Sequence, residues 1–165
     1  MLNKIIIYHD GPTEDQTVNL ISEDIKGFTF NPSIFKKLKI LDYLEACIKY
    51  AKLAKSKPVS LEVIADNDSE IYNQAKIISS ISKNVYVKIP VMLTNGTPTY
   101  DVIKKLVNDN ININVTAILN TGQIDKLIPI VKNTQNILSV FVGRIYDNGI
   151  DAEDYLKDIL KDKNR

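Results

Sequence analysis

Lys88 stands inside Val85-Tyr86-Val87-Lys88-Ile89-Pro90, where apolar residues alternate with other side chains at the two-residue period of a strand. Asn84 and Pro90 punctuate the run, so it reads as a short buried strand rather than part of a helix. Burial disfavours a charged amine and lowers its pKa, which makes a lysine a nucleophile near neutral pH. Such an amine condenses with a ketone to an imine, an electron sink for carbon–carbon cleavage. One carboxylate must move protons on and off the carbinolamine, and another must deprotonate the substrate hydroxyl; Glu62 and Asp10 fit these roles. Arg144, directly after Gly143, suits a fork for phosphate. Structural readings stand beside these. Lys88 could snorkel from a strand end, Glu62 could simply neutralise it, Asp10 could cap a helix, and Arg144 could lie on the surface. His9 reads as packing at a strand end rather than as a base.

These residues need strands to hold them. Runs at 5–8, Ile25–Phe30, 59–65, Val85–Pro90, 111–118 and 137–142 carry strand patterning. Between them, helical spacing covers 13–22, 41–55, 69–82, Tyr100–Asn108, 121–132 and 151–161. In the second of these helices Leu41, Leu44, Ile48, Ala51 and Leu53 form the expected inner stripe; in the last it is Tyr155, Leu156, Ile159 and Leu160. Pro129 weakens or kinks the fifth helix. Strand followed by helix, repeated through the chain, is the rhythm of right-handed crossovers and a parallel sheet. Neither a G-x-G-x-x-G after the first strand nor a P-loop is present, so a nucleotide-binding doubly wound sheet lacks its usual signature. Polar residues instead recur at or near strand C-terminal ends: Asp10, Asn31, Glu62, Lys88, Asn114, Thr116, Ser139 and Arg144. An active site on the C-terminal face of a (β/α) barrel requires that distribution. Along the strands Ser60 and Glu62 share a face, as do Asn114 and Thr116, and Ser139 and Phe141. If those faces form the lumen, they surround Lys88.

The chain has 165 residues, the size of one domain over 1–165, with Lys plus Arg 21 against Asp plus Glu 20 and a net charge of +1. That balance, with scattered basic residues, argues against nucleic acid as a partner. One cysteine, Cys47, excludes an intrachain disulfide and a cysteine metal cluster, so no metal is expected. The start, interrupted by Lys4 and His9, does not read as a secretory leader, and no apolar run reaches the length of a membrane span. A cytoplasmic protein with no membrane partner is the expectation.

Several blocks resemble those of transaldolases, in order and at similar spacing. Gly27-Phe28-Thr29-Phe30-Asn31-Pro32-Ser33 resembles their TTNPS signature, and Ser60-Leu61-Glu62-Val63, the Lys88 strand, Asn114-Val115-Thr116 and Ser139-Val140-Phe141-Val142-Gly143-Arg144 resemble later blocks. The resemblance implies a class I aldolase-type barrel that transfers a dihydroxyacetone unit between sugar phosphates, without metal or organic cofactor, in the non-oxidative pentose phosphate pathway. It makes Lys88 the Schiff-base lysine, Glu62 the proton shuttle acting through a water, and Asp10 the base at the substrate hydroxyl. Asn31, Asn114, Thr116 and Ser139 match positions that orient substrate or water, and Arg144 matches a phosphate ligand. Fructose-6-phosphate aldolases are similar in fold but carry glutamine at the position of Glu62 and tyrosine at that of Phe141. A phenol there can protonate the enamine and release dihydroxyacetone; phenylalanine cannot, so both positions favour transfer to an aldehyde acceptor.

Two departures qualify the match. Phe30 stands where the signature has threonine, and the pattern holds six strand–helix units where the family barrel has eight. A barrel short of two strands leaves sheet edges unpaired and its lumen open to water. The expectation is therefore a fragment, a homo-oligomer subunit completed by strands from a neighbour, or a decayed and catalytically silent copy.

Overall fold

The computed structural model describes residues 5–21 and 24–161. Six strands form one parallel sheet in chain order: β1 (Ile7–Asp10), β2 (Ile25–Phe30), β3 (Val59–Glu62), β4 (Val85–Pro90), β5 (Ile113–Ile118) and β6 (Ile137–Val140). Helices alternate with them: α1 (Glu14–Leu20), α2 (Pro32–Lys37), α3 (Tyr43–Leu53), α4 (Asp68–Ser79), α5 (Tyr100–Asn108), α6 (Thr121–Val131), α7 (Val142–Asp147) and α8 (Ala152–Lys161). Every neighbouring pair is parallel and follows the order of the chain, so the sheet curls one way as an incomplete (β/α) barrel of the TIM type. β1 and β6 are its two edges.

The core lies between the sheet's outer face and the helices. Phe28, Phe30, Val59, Leu61, Val85, Val87, Ile89, Ile113 and Val115 point outward from the strands and are buried there. The alternate positions face inward, so the period-two pattern separates packing residues from chemical ones. Gly27 is needed on the inner face because Tyr8, its partner across β1 and β2, lies over it. A Cβ at residue 27 would come within 2.2 Å of the Tyr8 ring.

Caps set the helix starts, and they refine the expected boundaries. Thr13 caps α1 in a reciprocal box with Gln16, so Asp10 does not cap it. Asn67 caps α4, two residues before the start expected from the sequence, and Asn120 caps α6, one residue before it. Asn31 caps α2, a helix outside the runs of helical spacing in the sequence. The inner stripe of α3 is corrected in part: Leu53 packs against the core and Ala51 is buried as expected, but the other three members are not. Leu41 is fully exposed and Leu44 and Ile48 are also exposed, while Ala46, Cys47, Tyr50 and Ala51 are buried. Tyr50 sits in a ring cluster with Phe30 and Phe35, at centroid distances of 4.3 and 5.5 Å, and that cluster turns the helix. Ser22, expected to end the first helix, lies outside the described residues, as does the Leu160 side chain.

Candidate active site

Register brings the inward residues together. Glu62 pairs with Lys88 across β3 and β4, and Lys88 with Asn114 across β4 and β5. One layer toward the strand starts, Thr29 pairs with Ser60 across β2 and β3, and Asp10 pairs with Thr29 at the β1 edge. A parallel ladder holds these levels without any side-chain contact, because its hydrogen bonds fix the stagger.

Lys88 is the centre. Its side chain is 8 % exposed, and its Nζ lies 3.3 Å from Glu62 Oε2. Burial pushes the Glu62 carboxyl above the ordinary carboxylate range; the Lys88 charge and hydrogen bond pull the other way, and Asp10 adds a smaller upward push. Glu62 is thus an acid that can hold or release a proton beside an amine. Asp10 accepts a hydrogen bond from the Thr29 hydroxyl and remains exposed at the β1 edge of the sheet; it is not among the residues lining the cavity over Lys88.

Next to Lys88 the amide of Asn114 is engaged at both ends. Its Nδ2 donates to Ser60 Oγ at 3.0 Å, and its Oδ1 accepts from Ser139 Oγ at 2.7 Å. This polar belt ties β3, β5 and β6 across the inner face. Asn114 and Ser139 are therefore fixed beside Lys88 through each other. Thr116, two residues beyond Asn114, is buried with a hydroxyl that has no protein partner. Just after it Ala117 adopts a φ of 60°, where the β5–β6 register shifts between Val115 and Ile118. A bulge of this kind re-aims the end of a strand.

A cavity of about 430 Å³ opens over these groups, lined by Asn31, Glu62, Lys88, Thr116 and Phe141 together with the ends of the β3–α4 and β4–α5 loops. The loops are fastened to each other. Asp66 accepts from the Thr94 amide at 2.8 Å and from the Thr94 hydroxyl, which holds its carboxyl below the usual range. Neither residue stood out in the sequence, since an Asp at a strand end and a Thr in a polar loop carry no distinguishing pattern.

Arg144 is placed elsewhere. It lies on α7, its side chain is 73 % exposed, and its Nη1 is 3.3 Å from Asp147 Oδ2. It borders an open hollow at the β6 end with Phe141, Gly143 and Asp147, and it is not among the residues lining the cavity over Lys88.

Comparison with known proteins fits this arrangement. The profile of the Transaldolase/Fructose-6-phosphate aldolase family matches residues 7–164. The chain belongs to that family. A probable transaldolase of Methanococcus maripaludis strain C6 is 33 % identical over 137 residues, covering 83 % of this chain and 60 % of its own length. Probable transaldolases of Methanococcus vannielii and Thermoanaerobacter sp. strain X514 are 32 % and 30 % identical, covering 83 % and 82 % of this chain. The chain spans about 60 % of the length of these relatives. No helix among the described residues is long and apolar enough to cross a membrane, and no cluster of His, Cys, Asp or Glu there could hold a metal ion.

Proposed function

We propose that this family member acts through a Schiff base on Lys88, moving a dihydroxyacetone unit from a ketose phosphate to an aldose phosphate. The observation that carries the reading is a buried amine 3.3 Å from a carboxyl of raised pKa, on the wall of a cavity open to substrate. Lys88 Nζ attacks the donor ketone carbon, and the carbinolamine loses water to give the imine. Glu62 first takes the proton that leaves the amine and then supplies one to the departing hydroxyl, through a water that the free hydroxyl of Thr116 helps to hold. Asp10, at the β1 edge, removes the proton from the substrate hydroxyl beyond the scissile bond. The bond breaks toward the imine and leaves an enamine on Lys88. Asn31 faces the substrate from the start of α2, while Asn114 and Ser139 keep the surroundings of Lys88 rigid. Arg144 serves the phosphate from the β6 end.

Phe141 lines the cavity without an acidic proton to offer the enamine. The enamine then waits for an aldehyde acceptor, which favours transfer over release of free dihydroxyacetone. The decisive experiment is borohydride reduction in the presence of fructose 6-phosphate, followed by peptide mass spectrometry. An adduct on Lys88 is expected. A folded protein with no adduct overturns the reading and leaves a silent member of the family. Release of dihydroxyacetone without acceptor would make it a fructose-6-phosphate aldolase instead.

A further inference from the structure

The β2–β3 ladder loses a donor at Glu62. Phe28 N–H donates to the Pro58 carbonyl at 2.9 Å, and Phe28 pairs with Val59. A parallel ladder repeats this step every two residues, so the carbonyls of residues 60 and 62 look to the amides of residues 30 and 32. Residue 32 is proline, which has no N–H, and it opens α2 rather than continuing β2. On its other side β3 continues, with Val63 N–H donating to the Lys88 carbonyl at 3.0 Å. The Glu62 carbonyl is therefore left without its ladder donor at the point where its side chain must be aimed.

Tyr43 supplies the donor. Its hydroxyl, from the first turn of α3, donates to the Glu62 carbonyl. The ring stands edge-on to Phe35 at a centroid distance of 5.4 Å, which fixes where the hydroxyl can reach. Burial, with smaller contributions from Cys47 and the Glu62 charge, pushes the phenol up, so it stays protonated as a donor.

We infer that Tyr43 is a positioning residue, which anchors the Glu62 backbone from outside the sheet and so keeps the Glu62 carboxyl on Lys88. Its meaning for catalysis rests on the Schiff-base reading above; its meaning for geometry does not. Among the described residues, the charged and titratable groups facing Glu62 are Lys88, Asp10 and Tyr43 itself.

The test uses the resting full chain with carboxyl-labelled glutamate, the Glu62 signal assigned by its loss in Glu62→Gln. Lys88→Met removes the neighbouring ammonium and raises the Glu62 titration midpoint. In a Tyr43→Phe background, which keeps the ring and removes only the hydroxyl, that rise should shrink to about half or less, because coupling falls with distance. An equal rise in both backgrounds overturns the proposal and leaves Tyr43 a packing residue. A parallel measurement follows borohydride trapping with fructose 6-phosphate. Tyr43→Phe should slow adduct formation about tenfold, and should add nothing in a Glu62→Gln background. A parent that forms the adduct while Tyr43→Phe forms it as fast overturns the catalytic role. A parent that forms none sinks the Schiff-base reading, and the titration still decides the role of Tyr43.

Discussion

The centre of the sheet and its β6 end hold the two kinds of residue that the proposed reaction calls on, and they hold them differently. Glu62 and Lys88 sit on strands paired on both sides, at matched register, with side chains 16 % and 8 % exposed. Arg144 sits on a six-residue helix beyond the edge strand, and it and its partner Asp147 are largely in water. In the centre the backbone ladder decides where a side chain goes, and the low dielectric strengthens what it meets. At the edge an exposed ion pair holds the side chain, and such pairs contribute little. Chemistry that depends on sub-ångström placement belongs in the centre, whereas a charge that steers a phosphate tolerates the edge.

Breaking the centre should have the largest effects. Lys88→Ala should reduce the trapped adduct to background while the thermal midpoint changes little; an adduct persisting on another lysine would remove Lys88 from its role. Glu62→Gln should slow imine formation by about 10²-fold, the range of a lost acid–base group. It should also change how stability responds to pH. Because the folded protein holds the Glu62 proton more tightly than the unfolded chain, the parent loses stability as pH rises from the ordinary carboxylate range through the folded midpoint. Glu62→Gln lacks that loss, so its thermal midpoint should rise relative to the parent's as pH increases over this window. A flat difference would mean the carboxyl is not perturbed.

Asn114→Ala leaves the Ser60 and Ser139 hydroxyls without their shared partner, and should cost about 1–3 kcal/mol in denaturant unfolding. A neutral result would show that the belt does not hold the inner face. The smallest effect falls at the edge. Arg144→Ala should raise KM for phosphorylated substrates more than it lowers kcat, and shift stability by no more than about 0.5 kcal/mol. Equal turnover of unphosphorylated sugars by the parent would deny Arg144 its phosphate.

Much of this architecture was legible along the chain. Strands Ile25–Phe30 and Val85–Pro90 and helix Tyr100–Asn108 fall where the pattern predicts, because short periodic runs between strong punctuation leave little choice. Alternation paired Ser60 with Glu62, Asn114 with Thr116 and Ser139 with Phe141 within their strands and left a common lumen conditional; the hydrogen bonds joining Ser60, Asn114 and Ser139 put those three on one inner face. The buried face of α3 was legible only in part. Ala51 is buried and Leu53 packs against the core as expected, but Leu41, Leu44 and Ile48 are exposed, because the aromatic cluster of Phe30, Phe35 and Tyr50 selects the buried face and packing against a neighbour overrides hydrophobicity counted on one helix. Helices α2 and α7 were also missed, each being six residues long and too short for periodicity to register.

Sequence alone determined the order of the six strands, the lysine inside an apolar strand, and which polar residues share a face within each strand, since all of these follow from local period and punctuation. Only the tertiary structure decided that Glu62 stands 3.3 Å from Lys88, that Asn114 joins Ser60 to Ser139, and that Arg144 lies apart from them. Those facts depend on register between strands distant in the chain and on how far the sheet curls. Neither is encoded in any one segment, because both arise from ladder hydrogen bonds and from the packing of helices against the outer face.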